Sequence, residues 1–267
     1  MKMVLASGWP GTEAPSILSN MEVTLPLISY FYAKKDLKLF REYKKPLYLD
    51  SGVFTARKKG KTISIKDLIT YYKKNEDIID WVFNLDEGDP ENQLNNCKIM
   101  KKAGLNVIGI FHGKKSGKAH GIMNMEYLDR FAEVSNYVAL GSLVPEYFDS
   151  VFEYIDKRNL WPLKIHALGT ERLNLLDRYP FYSSDSSAFQ KSYTYGLISE
   201  NVEFTKLKAF HPKDNLPKAL KIDALANKMI GRTYEARDLR IANAVLQREV
   251  IQKYLTNLWI KKGIVWD

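Results

Sequence analysis

Short apolar runs alternate with helix-forming stretches along most of the chain. Runs of this type and length are typical of strands that are buried on both faces. They predict strands at residues 3–6, 46–50, 81–86, 106–112, 137–143, 163–168 and 181–185, with a weaker candidate at Val202–Phe204. The pattern therefore favours a sheet that is covered on both sides.

The stretches between these runs carry apolar residues at helical spacing. They predict helices at residues 65–72, 90–103, 125–134 and 146–159, with a short one at 170–178. Ser64 precedes the first helix as an N-cap, and Gly104 follows the second as a C-cap. A helix thus follows most of the predicted strands.

The strand and helix together repeat about every 25 to 30 residues, which is the size of a β-α unit. Seven or eight such units in the first ~200 residues predict an α/β fold, a TIM-like (β/α)8 barrel. A doubly wound open sheet is the alternative. It is less favoured because no glycine-rich phosphate loop follows the first strand.

The character of the chain changes near Pro217, beyond which the composition is helix-forming. We expect residues 1–215 to form the barrel and residues 216–267 to form additional C-terminal helices, a basic segment packed on the barrel or closing it. The basic side chains in this segment include Arg232, Arg237, Arg240, Arg248 and Lys253. They form either a solvated helix face or a nucleic-acid surface.

The overall charge favours a polyanionic partner. The 267 residues carry a net charge of +9, with a pI near 9.3, and clustered Lys and Arg bind phosphates by releasing their counterions. A charge of this size also keeps an ordinary protein in solution. Further basic clusters fall in predicted loops at residues 34–35, 57–61 and 114–115.

Other features of the sequence bear on the cellular location of the protein. No apolar run is long enough to span a membrane, and the first residues are too few for a signal peptide before the first predicted strand. The single Cys97 excludes a disulfide framework and a multi-cysteine zinc site. We expect a cytoplasmic protein without a membrane partner.

Candidate chemistry gathers at the predicted carboxyl ends of the strands, where TIM barrels hold their active sites. These ends contribute Asp50, Ser51, Gly52, Asp86, His112, Gly141, Ser142, His166 and Asp185. Asp185 ends a buried aromatic run with no Lys or Arg beside it, a costly position for an uncompensated charge. Singly, each of the three aspartates could be a helix cap and each of the two histidines a core residue. The five together predict a functional site at the mouth of the barrel.

Metal-free chemistry is the preferred interpretation of this set. Carboxylates and imidazoles are also metal ligands, but no HxH or HxxxH spacing occurs. Two carboxylates can instead divide the labour of nucleophile and general acid/base. Gly52 would let a planar ring approach the backbone, Phe54 would stack on that ring, and Asp86 would accept from its N–H groups. We therefore predict a pocket for N-glycosidic base exchange that uses no metal or cofactor.

The motifs at these strand ends resemble those of the tRNA-guanine transglycosylases, TIM-barrel enzymes that exchange guanine for a 7-deazaguanine. Asp50-Ser51-Gly52-Val53-Phe54 resembles the DSGGF motif, and Asn84-Leu85-Asp86-Glu87 falls where the family keeps a base-reading aspartate. Residues 108–113 resemble its GIVQG segment, 139–143 its GGL turn and 166–170 its MGVGT stretch. Asp185 falls at the nucleophile, and the resemblance covers roughly residues 45–190.

The resemblance implies a role for each candidate. Asp185 would attack the anomeric carbon, expel guanine and hold a covalent nucleotide intermediate, with Asp50 as general acid/base. Phe54 would stack on the base. The other substrate-binding residues would be Ser51, Gly52, Asp86, His112, Gly141, Ser142, Leu143 and His166.

Departures from the family pattern shift the expected substrate. The chain lacks the cysteines of the zinc subdomain found in tRNA-acting members, and His112 replaces a glutamine. A short, zinc-less relative is most similar to the DNA-directed branch, which is frequent in phages and bacterial modification islands.

That likeness implies DNA as the polymer, with tRNA as the alternative. The incoming base would be a free 7-deazaguanine such as 7-cyano-7-deazaguanine, and the setting would be the host cytoplasm if the protein is phage-encoded. Two other interpretations stay open: a non-catalytic nucleic-acid-binding subunit, and a sugar-processing or metal-dependent hydrolase on a similar barrel.

Overall fold

A closed barrel of eight parallel strands forms the body of the protein. The computed structural model describes residues 1–6, 25–32, 37–42, 46–112, 124–141, 145–204, 206–230 and 236–266. The barrel strands are β1 (Lys2–Ala6), β2 (Leu25–Ser29), β3 (Leu47–Asp50), β4 (Ile79–Phe83), β5 (Val107–His112), β6 (Tyr137–Gly141), β7 (Lys164–Ala167) and β8 (Ser183–Ser186). Each strand pairs with the next along the chain, and β8 pairs with β1. The predicted TIM-like barrel is confirmed, and all eight carboxyl ends open at one mouth.

Helices lie between the strands and end at signals visible in the sequence. They are α1 (Leu37–Glu42), α2 (Val53–Lys58), α3 (Ile65–Lys74), α4 (Pro90–Lys102), α5 (Glu126–Val134), α6 (Pro145–Lys157) and α7 (Leu173–Leu176). Ser64 caps α3 as predicted, since its Oγ accepts from the Asp67 N–H at 3.4 Å. Asp89 caps α4, accepting from the Asn92 N–H at 2.8 Å. Asp86 is therefore not the cap of this helix.

The second barrel strand, β2, is absent from the sequence prediction. It contains Pro26, and a proline inside a short apolar run argues against a central strand. In the structure Pro26 stands opposite Leu5 in the parallel pairing of β1 and β2. Leu25 and Leu27 pack inside the barrel, and Ile28 packs in the layer outside it. The strand forms because closing the barrel buries both of its faces.

The weak strand candidate at Val202–Phe204 is wrong as a barrel strand. An antiparallel hairpin of β9 (Ile198–Val202) and β10 (Lys206–Phe210) forms there as a separate two-stranded sheet. Glu203 and Phe204 have φ values of 47° and 57° at its turn. Such left-handed backbone ends a strand rather than continuing it.

Three further helices complete the chain: α8 (Gln190–Tyr195), α9 (Leu216–Ile230) and α10 (Ala236–Lys261). The last one packs on the barrel beside β1. The terminal amine of Met1 donates to Thr256 Oγ1 at 3.1 Å, and Trp259 Nε1 donates to the Leu176 carbonyl at 3.1 Å. None of the helices in the described ranges combines the length and apolarity needed to cross a membrane.

Two arginines of α10 are committed to internal ion pairs. Arg248 makes a bidentate pair with Glu171 at 2.8 and 2.7 Å, and its side chain is 3% exposed. Arg240 pairs with Asp223 on α9 in the same bidentate manner. Arg240 joins α10 to α9, and Arg248 joins α10 to the loop after β7, so these two side chains are not part of an open basic surface. Arg232 and the side chain of Arg237 lie outside the described part of the chain.

The apolar core has two layers. An outer layer packs the helices on the barrel. An inner layer fills the barrel and consists of Val4, Leu25, Leu27, Tyr48, Phe83, Ile108, Ile110, Tyr137, Ala139 and Tyr182. Because the interior is filled with side chains, chemistry is confined to the polar groups above this layer, at the mouth.

Candidate active site

Asp185 lies in β8, buried at the mouth of the barrel. Its Oδ1 accepts from the Gly169 N–H at 2.6 Å and lies 3.0 Å from His166 Nε2. These contacts supply the compensation that a buried carboxylate needs. Within the described residues nothing hydrogen-bonds to Oδ2, so one oxygen is held and the other is open.

His166 is fully buried in β7 and engages both of its ring nitrogens. Nδ1 lies 2.5 Å from Ser183 Oγ, while Nε2 faces Asp185. Ser183 and Asp185 are two residues apart in β8, so both side chains point to the same side of the strand. The edge of Phe83 packs against the imidazole, with ring centroids 5.1 Å apart. The ring therefore has one packed orientation that links the two β8 side chains.

The series of hydrogen-bonded side chains continues from Ser183 into the interior of the barrel. Ser183 Oγ hydrogen-bonds to the hydroxyl of Tyr137, which lies 3.4 Å from the Tyr48 hydroxyl. Burial raises the pKa of Tyr137 far above its usual value, so its hydroxyl stays neutral. If Nε2 of His166 donates to Asp185, Nδ1 is left to accept from the Ser183 hydroxyl. The hydroxyls of Ser183 and Tyr137 thus support the histidine that contacts the carboxylate.

Asp50 ends β3, and its Oδ2 accepts from the Gly52 N–H at 2.9 Å. Burial raises its pKa from 3.8 to about 6; the Gly52 hydrogen bond opposes the rise, and the charges of Asp185 and Asp86 add to it. Asp185 and Asp86 are therefore near enough to Asp50 for their charges to act on it.

Gly52 has a structural reason to be glycine. Its φ is +79°, and an added Cβ would lie 2.9 Å from the Phe31 nitrogen. This left-handed turn carries the chain from Asp50 into α2. Its predicted approach to a planar ring stays a prediction.

Asp86 and His112 form a second pair on the rim. The predicted strand 81–86 is too long: β4 ends at Phe83, so Asp86 lies in the loop beyond it. Its Oδ1 is 2.8 Å from Nε2 of His112, the last residue of β5. Both side chains are partly exposed, which leaves the pair open to a ligand.

Gly141 makes room for the His112 ring. The two residues stand opposite each other in the β5–β6 register. A Cβ at position 141 would lie 2.9 Å from His112 Nδ1, a buried atom without a hydrogen-bond partner among the described residues. Glycine here is thus a requirement of the Asp86–His112 pair.

The remaining predicted site residues are Ser51, Phe54, Ser142 and Leu143. Ser51 is buried beside Asp50. Phe54 is 72% exposed in the first turn of α2, and its ring contact is with Lys58 at 4.2 Å rather than with the mouth. Ser142 and Leu143 lie outside the described residues.

Three groups of the site were not predicted from the sequence: Ser183, Tyr137 and the Gly169 N–H. Ser183 could have been found, because it stands two residues before Asp185 on the same strand and must share its side. Tyr137 belongs to an apolar run and carried no signal. Its role depends on which strands become neighbours.

Two further features of the described residues bear on the location of the site. Across the described ranges, no three His, Cys, Asp or Glu side chains come together as metal ligands. A cleft of about 460 Å³ lies near Asp129, Arg158 and Lys164. Lys164 begins β7, so this cleft is at the amino end of the strands, away from the mouth.

Solved structures of other proteins resemble this protein in fold. No protein-family model matches the chain, and no curated protein matches its sequence. N-acetylneuraminate lyase from Mycoplasma synoviae is 11% identical, with a TM-score of 0.50 over 97% of each chain. Tryptophan synthase subunit alpha from Legionella pneumophila is 9% identical, with a TM-score of 0.50 over 94% of this chain and 93% of that one. At such identities the likeness shows the barrel fold alone.

Proposed function

We propose that this protein is a base-exchange transglycosylase that replaces guanine in DNA with a 7-deazaguanine derivative. The observation that supports this most is the contrast between two carboxyl groups at one barrel mouth. Asp185 is held by the Gly169 N–H and His166, whereas burial raises the pKa of Asp50 to about 6. Environments that differ in this way separate a nucleophile from a general acid/base.

Asp185 is assigned as the nucleophile. Its Oδ1 is fixed by two contacts, and Oδ2 is left to attack the sugar. As the bond from Oδ2 to C1′ forms, the bond from C1′ to the guanine N9 breaks, and its electron pair leaves with the base. The product is a covalent aspartyl-nucleotide, which the incoming base resolves by the reverse displacement.

Asp50 is assigned as the general acid/base. With a pKa of about 6 it exchanges protons readily near neutral pH. It gives a proton to the departing guanine and then takes one from N9–H of the incoming 7-deazaguanine. The proton balance closes over the two displacements, and the step needs no cofactor.

The Asp86–His112 pair is assigned to base recognition. A carboxylate accepts from ring N–H and exocyclic amino groups, which guanine and its 7-deaza derivatives present on one edge. The second carboxylate oxygen is free to do this because Oδ1 faces His112. His112 stands where the family that the motifs resemble has a glutamine, so this position would make a different contact to the base.

DNA is favoured over tRNA by the resemblance to the zinc-less branch, while the charge fits either polymer. A net charge of +9 suits a phosphate backbone. A duplex would have to extrude the target nucleotide before Asp185 could reach its sugar.

Incorporation of labelled guanine, or of labelled 7-cyano-7-deazaguanine, into DNA and separately into tRNA tests the proposal. We expect label in DNA with the wild type and none with Asp185→Asn, which keeps the side-chain shape. Glu153→Gln on the exposed face of α6 is the matched control and should keep full activity. A denaturing gel should also show a covalent DNA adduct that Asp185→Asn cannot form.

The other outcomes separate the alternatives. Label in tRNA keeps the mechanism and reverses the polymer. DNA binding without label or adduct favours a non-catalytic subunit. An activity on sugars that chelators abolish favours a metal-dependent hydrolase and overturns the exchange mechanism.

A further inference from the structure

An exposed group of aromatic rings and lysines lies beside the mouth, on the segments that follow β2 and β3. It consists of Phe31, Tyr32, Phe54, Lys58, Lys59 and Lys61, and is called the rim patch below. The two segments are neighbours because β2 pairs with β3. The rim patch is therefore one surface, built from two separate parts of the chain.

Its position is fixed next to Asp50. The Tyr30 N–H donates to the Asp50 carbonyl at 2.8 Å. A Cβ on Gly52 would lie 2.9 Å from the Phe31 nitrogen, so the two segments are in close backbone contact. A polymer that delivers its sugar to Asp50 and Asp185 must therefore pass near the rim patch.

The rings and the ammonium groups alternate. Lys58 Nζ lies 4.2 Å from the centroid of Phe54. Lys59 Nζ lies 5.2 Å from the centroids of both Phe31 and Tyr32, which pack edge-on against each other. Phe54 is 72% exposed and Tyr32 is 44% exposed. Single exposed apolar side chains are common, but exposed apolar side chains that cluster on one surface mark an interaction site.

Within the described residues, the lysines of the rim patch have no acidic partners. Other lysines, such as Lys73 and Lys218, do pair with carboxylates. Helix-end electrostatics explains part of this, since Lys58 is in the last turn of α2. It does not explain the two exposed rings. Arg240 and Arg248 of α10 already make internal ion pairs, so they are not available to bind phosphates.

We propose that the rim patch binds unpaired DNA beside the target nucleotide, with bases stacked on Phe54 and Tyr32 and phosphates on the lysines. Exposed aromatic rings next to free cations are the common means of holding single strands. A base that takes the face of Phe54 would release the Lys58 ammonium to a phosphate. The identity of the strand rests on the proposed function; the binding itself is measured independently of exchange.

Fluorescence anisotropy with a labelled single-stranded DNA, and with the same sequence as a duplex, tests this at several salt concentrations. Tyr32→Ala/Phe54→Ala removes the two exposed rings. Lys58→Gln/Lys59→Gln/Lys61→Gln removes three charges. Lys98→Gln/Lys101→Gln/Lys102→Gln on the exposed side of α4 removes the same charge elsewhere. Circular dichroism confirms that each variant is folded.

The ring variant is expected to lower the affinity for single-stranded DNA at least about 30-fold, because stacking on two rings is lost. Its salt dependence should stay unchanged. The rim-lysine variant should make the salt slope shallower by up to about 2, at about 0.7 per phosphate contact on a single strand. Wild-type affinity in the ring variant, or an equal loss in the α4 control, overturns the proposal.

Exchange assays on the same proteins separate the two proposals. If the wild type incorporates no label but single-strand binding depends on the rim patch, this inference stands and the exchange function falls. If the wild type incorporates label and the ring variant binds and exchanges as well as the wild type, this inference falls alone.

Discussion

Replacing Asp50 with asparagine is expected to stabilise the protein and to abolish exchange. Burial raises the pKa of this carboxyl from 3.8 to about 6, against the opposing hydrogen bond from the Gly52 N–H. Ionising it in the folded state therefore costs about 3 kcal/mol at neutral pH. A neutral amide of the same shape avoids this cost, and its oxygen can still accept from Gly52.

The gain should depend on pH in a defined direction. The folded protein binds the Asp50 proton more tightly than the unfolded chain does, so the wild type's free energy of unfolding falls as pH rises from about 4 to about 6. Below that window both states are protonated, and the cost is absent. The stability difference between Asp50→Asn and the wild type should thus be small near pH 4 and reach about 3 kcal/mol above pH 6.

Urea unfolding of both proteins across this pH range measures the difference, with Glu153→Gln as a surface control expected to change stability by less than about 0.5 kcal/mol. A variant that is less stable than the wild type at pH 7 would refute the assignment of a buried charge. So would a gain of equal size at pH 4 and pH 7. Exchange activity retained by Asp50→Asn would remove this residue from the general acid/base role.

Three further substitutions test other parts of the structure. His166→Gln should lower kcat for exchange about 100-fold with little change in KM, because it misplaces the nucleophile; steady-state label incorporation checks this, and an effect on KM alone would contradict it. Gly141→Ala should raise KM for the free base more than it lowers kcat, since the new Cβ would lie 2.9 Å from Nδ1 of His112, which is assigned to base recognition; label incorporation measured at several concentrations of the free base checks this. Arg248→Ala should lower the free energy of unfolding by about 3 kcal/mol because it leaves the partly buried Glu171 carboxylate unpaired, whereas Arg178→Ala in an exposed pair should cost less than about 1 kcal/mol; urea unfolding compares them.

Some features of the mouth were predictable because they depend on local sequence. A buried run that ends in a polar residue marks both a strand and its carboxyl end, as at Asp50 and His112. Asp185 departs from this rule, because β8 is the polar segment Ser183–Ser186 that follows the aromatic run. The strand β2 was not predictable by the same rule, since Pro26 breaks its pattern. Phe54 shows a second limit: its place at the end of the DSGGF-like motif suggested a ring in the pocket, but its side chain in the first turn of α2 is 72% exposed.

The sequence by itself determined the alternation of strands and helices, the barrel that follows from it, and the residue types that meet at the mouth. These depend on periodicity and on short signals such as Ser64 and Gly104. Only the tertiary structure decided which inward side chains touch. The hydroxyls of Tyr48 and Tyr137 are 89 residues apart along the chain, and Tyr137 is 46 residues from Ser183. Their contacts arise from the closure and register of the barrel, because those two properties determine which side chains share a layer.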